Sequence, residues 1–291
     1  MPKSFPNFKV LKYFNMAVLK YFLFAVILLF PISIHATTTT TVNLPVPYTS
    51  EIPNGRWIKP WNNACEEATI IMVEQFYAGN TSTKFSRARA TKLMSPLFPI
   101  ERKLFGTDAD SDAAQNAKII NDYTSFSAYI IDDPTIEQIQ NELSAGRPVI
   151  SFHYGYDLHN PNIPWRRGGS YYHVMALVGF DEARQEFIVN DPGNDKSGLD
   201  YHYKYAIITS SLHDLNIKTH KANGPARVLF TAPKLVKLAG SPRVYYLQYG
   251  KKHIVANPQV FKNHKWQWGW LRTVSKDWLD QIPLSETIIK N

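Results

Sequence analysis

Apolar positions recur at helical spacing in the first half of this chain and in short blocks in the second. After Pro60 and Asn62-Asn63, the segment ACEEATIIMVEQFY places Ala68, Ile71, Met72 and Phe76 on one face, predicting a helix of about 14 residues. Lys84 to Leu97 and Asp112 to Asp122 read as further helices. Pro134 to Ala145 reads as another, with Ile136, Ile139 and Leu143 as its stripe and Gly146 as its stop. The period then changes. PVISFHY, YYHVMALVGF and EFIVN are rich in β-branched and aromatic residues and read as strands. The link from Phe180-Asp181 to Gln185 is hairpin-like, so the strands carrying His173 and Asn190-Asp191 are expected to be antiparallel neighbours. Lys204 to Leu215 reads as helical and ARVLF as one more strand. Helices first and an antiparallel sheet after them make an α+β arrangement.

Composition shifts around Pro233 to Pro242. SPRVYYLQYGKKHIVANPQVF reads as two strands joined at Gly250-Lys251 and then a short helix. WQWGWLRTVSKDWLDQIPL follows, with four of the seven tryptophans. Residues 238–291 are therefore expected to form a small module, near the lower size limit for a self-sufficient core.

The N-terminus has its own pattern. Lys3, Lys9, Lys12 and Lys20 precede an apolar run from Tyr21 to Ile34, and Ile34-His35-Ala36 resembles a cleavage site. Residues 1–36 thus have the layout of a secretory signal peptide, or of an N-terminal membrane anchor if left uncut. The expectation is an exported chain, secreted or held at the outer face of the cytoplasmic membrane, touching membrane only through this segment. Residues 37–43 read as a polar tether and 44–232 as the main domain. Without the four lysines, 28 basic residues face 24 acidic ones. That surplus argues only weakly for an anionic partner, and no Lys/Arg block suggests nucleic acid.

Cys65 is the chain's one cysteine and sits where a Pro/Asn-rich approach becomes a helix. A helix N-terminus stabilises a thiolate and lowers the thiol pKa. Such a nucleophile needs an imidazole and a group to orient it. His173 is the imidazole candidate, with Gly168-Gly169 before it and Val174 to Val178 anchoring its strand. Asp191 or Asn190 follows on the next strand. These two point to opposite faces, so only one serves; Asp191 is favoured because a carboxylate also stabilises imidazolium.

The segments NLPVPYTS, WNNACEEAT, ELSAGRPVI, YYHVMALVGFD and FIVNDPG together resemble the C39-like group of papain-fold cysteine peptidases over roughly residues 44–215. The resemblance implies a papain-like fold, a peptide or protein substrate, and amide cleavage through a thioester, with Cys65, His173 and Asp191 as the triad. Members usually carry a glutamine oxyanion donor where this chain has Glu51. An ionised carboxylate cannot donate, and losing one such donor costs ~100- to 1000-fold in rate. The Cys65 N–H and Asn62 or Asn63 then become the expected donors, unless Glu51 is protonated. Glu66 and Glu67 also oppose a thiolate at Cys65. The module at the C-terminus resembles short modules repeated in exported bacterial proteins, which suggests surface attachment or recognition, with a cell-envelope polymer as its expected partner.

Each reading has a plainer rival. A lone cysteine is often a small core residue, His173 suits an apolar strand, and Asp191 suits a turn. The other histidines lack HExxH or CxxC companions, so no metal and no cofactor are expected. The C-terminal tryptophans read first as core and second as a carbohydrate-stacking surface. Three functions compete: a cysteine peptidase or amidase, a papain-shaped binding protein without efficient turnover, and a thiol acyltransferase.

Overall fold

The computed structural model describes Met1 and residues 40–163, 171–193 and 195–290. The signal-like segment, Met1 aside, and Gly168-Gly169 lie outside the described residues. Helix α1, Cys65–Tyr77, follows a single 3-10 turn at Trp61–Asn63. Cys65 through Val73 are all buried, so this helix is enclosed rather than amphipathic, and its first turn carries Glu66 and Glu67 into the interior. Helix α2, Arg87–Met94, starts where the Ser86 hydroxyl accepts the Arg89 N–H. Helix α3 is Leu97–Phe105 and α4 is Ala113–Tyr123, the latter opened by a capping box of Asp112 and Gln115. Helix α5, Ile136–Ser144, starts two residues later than Pro134 because Thr135 caps it in a box with Gln138. Helix α6 is Tyr205–Ser211.

Seven strands form the main sheet: β1 Thr41–Asn43, β2 Phe126–Asp132, β3 Val149–Tyr154, β4 Tyr172–Asp181, β5 Glu186–Asn190, β6 Tyr201–Lys204 and β7 Arg227–Pro233. The order is β2-β7-β3-β4-β5-β6, with every pair antiparallel. The long strand β4 organises it. Its first part pairs with β3 and its end pairs with β1. Thr41–Asn43, expected as the end of the tether, are therefore strand. Gly179 permits this, since a Cβ there would lie 2.1 Å from the Val42 carbonyl oxygen. On β4, Val174, Ala176 and Val178 pack in the core that holds α1, whereas Met175 and Leu177 pack with α5 and α6. The sheet is thus covered on both faces by helices.

A second, smaller mixed sheet follows at the C-terminus: β8 Leu235–Leu238, β9 Val244–Gln248, β10 Lys251–Ile254 and β11 Leu271–Val274, in the order β10-β9-β8-β11. Strands β8 and β11 are parallel. Helices α7, Gln259–Asn263, and α8, Lys276–Asp280, flank it. The sheet is docked, with Thr39–Asn291 forming one compact unit. Lys234, between β7 and β8, is 1% exposed. Its ammonium donates to the Asn121 carbonyl (2.9 Å) and to that of Thr124, at the end of α4, where the helix dipole favours a cation. Burial lowers its pKa to about 8. Arg272 of β11 donates to the Tyr77 carbonyl at the end of α1. Trp278 Nε1 donates to Ala145 (3.0 Å).

Candidate active site

His173 and Asp191 meet. His173 Nε2 lies 2.7 Å from Asp191 Oδ1, and both side chains are buried. Antiparallel pairing of β4 and β5 makes this contact, with Ala176 opposite Asn190. Asn190 points the other way, its amide donating to the Val46 carbonyl (2.9 Å). Asp191 is held at every side. Its Oδ1 also accepts the Gly193 N–H (3.0 Å), and its Oδ2 accepts Tyr203 Oη (2.5 Å) and Asn160 Nδ2 (3.1 Å). Burial alone would raise this carboxyl. The His173 charge and the bonds from His173, Tyr203 and Gly193 outweigh burial and hold it below its ordinary value. Gly193 is pressed onto the ring, since a Cβ there would lie 3.1 Å from His173 Cε1.

Cys65 is 3% exposed and sits at the first position of α1. One turn on, Thr69 Oγ1 donates to the Val174 carbonyl (3.2 Å). The helix face bearing Cys65 is thereby fastened to β4 next to His173. The thiol itself donates to Glu66 Oε2 (3.0 Å), while Glu66 Oε1 accepts the Ser111 N–H (2.7 Å). Burial, then Glu66, Glu51 and Asp110, push the thiol well above its ordinary pKa. The helix N-terminus does not win here: desolvation and three nearby acids exceed a partial charge screened within one turn. Glu67 turns instead to Glu101 on α3, and burial pushes Glu67 well up and Glu101 to about 7.

Glu51 is 5% exposed, with its N–H on the Pro192 carbonyl (3.0 Å). Its carboxyl accepts the Ala64 N–H, next to Cys65. Burial and then Asp191, Glu66 and Asp110 raise it well above its ordinary value, which favours the protonated form, and that form has an O–H to donate. The Asn63 amide donates to Asp110 Oδ1 (2.9 Å) and accepts from Asn62 (2.9 Å). Asn63 is thus bonded through both amide atoms. A cavity of about 240 Å³ lies beside this segment, lined by Thr49, Ser50, Pro53, Lys84 and Asp195 among others, and the Lys84–Asp195 pair (2.9 Å) crosses it.

The profile of the Peptidase_C39 like family matches residues 43–212, more than half of the chain. The chain belongs to that family. Among solved structures it is similar to a protein from Bacillus anthracis described as a C39-like peptidase, at 15% identity and a TM-score of 0.43. That match covers 66% of this chain and 98% of the other. No curated protein matches. Within this C39-like domain, sequence reasoning missed Asn160 and Tyr203 as holders of Asp191 and Glu66 as the thiol's partner. The tyrosines of YHYKY alternate as a strand does, which was a usable signal for Tyr203. Asn160 follows a 3-10 turn 31 positions before Asp191, and local pattern cannot reveal it.

Proposed function

We propose that this C39-like protein is an exported cysteine peptidase that cleaves peptide or amide bonds through Cys65, His173 and Asp191. The observation that carries the reading is the 2.7 Å bond between His173 Nε2 and Asp191 Oδ1. It fixes the ring so that Nδ1 is the nitrogen left for proton transfer. In the cycle, His173 takes the thiol proton as Sγ bonds to the scissile carbonyl carbon. The imidazolium, stabilised by Asp191, returns that proton to the departing amine as the C–N bond breaks. Water, activated by His173, then hydrolyses the thioester and restores the thiol. Protonated Glu51 and the Cys65 N–H are the donors to the oxyanion, Glu51 supplying through O–H what the usual glutamine supplies through N–H.

Peptide-library profiling of the exported chain tests this. Hydrolysis that disappears in both Cys65→Ala and His173→Ala is expected; hydrolysis surviving in either defeats the proposal.

A second reading has one observation in its favour. The thiol is buried, bonded to Glu66 and pushed toward its neutral form. That suits a binding protein which keeps the fold without turnover. Iodoacetamide labelling as a function of pH separates the two: a working thiol reacts well below its ordinary value of ~8.5, and a packed one stays inert there.

A further inference from the structure

Charge is divided unevenly along the chain. Residues 37–233 hold 18 Lys and Arg against 21 Asp and Glu, whereas residues 234–291 hold ten against three. Four of those ten cations are spent locally. Lys234, Lys252 and Arg272 donate to backbone carbonyls, and Lys276 pairs with Asp280. Lys237, Arg243, Lys251, Lys262 and Lys265 have no ion pair among the described residues. All of these but Lys237, which is half-buried, are exposed.

The same region carries a run of stacked rings. Trp268 lies flat on Phe261, with centroids 3.9 Å apart and planes 11° apart. Phe261 meets Trp266 edge-on at 5.8 Å, and Trp266 stacks in turn with His264 (4.6 Å) and lies tilted against Tyr246 (4.7 Å). Phe261 and Tyr246 are buried in the small core, but Trp268 is 58% exposed. Lys262 follows Phe261 directly, and Lys265 sits between His264 and Trp266 in a left-handed conformation, φ 56°. A flat exposed indole backed by a second ring, with exposed unpaired cations next in sequence to the rings beneath and beside it, combines a stacking platform with anion attraction.

We propose that this surface of the C-terminal sheet binds an anionic glycan, a polymer whose sugar rings stack on Trp268 and whose carboxylates or phosphates meet Lys262 and Lys265. A bilayer is the poorer fit, because Trp268 lies along the surface on Phe261 instead of standing as an apolar wedge. Nucleic acid shares the chemistry of stacking and charge, and the export layout of residues 1–36 decides for the glycan. The inference is independent of whether Cys65 turns over substrate.

Affinity electrophoresis of the full chain through polygalacturonate, neutral dextran and a thymidine 20-mer tests it. Retardation by polygalacturonate is expected, weakening steeply between about 50 and 200 mM salt as counterion release requires, with none by dextran. Trp268→Ala is expected to weaken it about tenfold, as loss of one stacking platform does. Lys262→Glu with Lys265→Glu is expected to weaken it at least as much and to flatten the salt dependence, while Lys103→Glu, at an exposed position of α3, leaves it unchanged. Should Trp268→Ala lower the melting temperature, the exposed lysine pair decides alone. No retardation by polygalacturonate at low salt, equal loss in Lys103→Glu, or tighter binding of the thymidine oligomer each overturns the proposal.

Discussion

The two halves of the candidate site are built on opposite electrostatic plans. Around Asp191, four hydrogen bonds converge on one buried carboxylate and keep it charged. Around Cys65, burial and the acids Glu51, Glu66 and Asp110 push the carboxyls of Glu51 and Glu66 and the thiol well above their ordinary values. Burial is equally deep on both sides. What differs is the supply of donors: the imidazole half receives N–H and O–H groups from β4, the turn after β5, β6 and the Asn160 loop, and the thiol half receives mainly carboxyl oxygens. Burial therefore selects the charge state only together with the neighbours. On the proposed mechanism, Cys65 enters the reaction as a thiol, and its proton moves to His173 during attack.

This contrast can be broken from either side. The largest effect is expected from Cys65→Ala or His173→Ala, which should lower single-turnover hydrolysis at least ~1000-fold while circular dichroism is unchanged. Asp191→Asn should follow, at ~100- to 10,000-fold, because an amide at that position no longer stabilises imidazolium. Its kcat should fall with KM nearly constant, and matched losses in both would deny the orienting role.

On the thiol side the tests concern pH. Glu51 is raised, so its donor O–H is present at low pH and lost as pH rises through that raised value. Activity should fall on the alkaline side, and Glu51→Gln should remove that limb. Glu66→Gln should shift the alkylation profile of Cys65 to lower pH, since an amide can never ionise to oppose the thiolate and no longer accepts the thiol proton as a carboxylate. An unmoved profile would remove Glu66 from control of the thiol.

The smallest effect concerns stability. Glu101 titrates near 7 in the fold against 4.5 ordinarily. The fold holds that proton where the unfolded chain has released it, so stability declines as pH rises from 4.5 to 7. The contribution is at most about 3 kcal/mol. Thermal melts of Glu101→Gln across that window should be flatter than those of the parent.

Much of this was legible in the sequence, and the reason is periodicity. The helix from Cys65, the strands around His173 and Asn190, and the hairpin between them rest on local patterns. The His173–Asp191 contact follows from that hairpin almost without further information. Strands β2, β6, β8 and β11 were not read, because FSAYIID directly follows a helical segment and the other three are only four residues long. The charge state of Cys65 was not legible either. A sequence shows Glu66 and Glu67 beside it, but not that the helix is enclosed, that Asp110 closes in, or that Glu67 turns away to Glu101.

One bond links matters that otherwise look unrelated. Arg272, on the last strand of the small sheet, grips the carbonyl of Tyr77, the final residue of the 13-residue helix that begins at Cys65. A rod fastened at its far end transmits a pull along its axis. A pull on the C-terminal sheet is therefore carried along that rod toward Cys65, which joins the surface proposed to bind glycan to the thiol proposed to react.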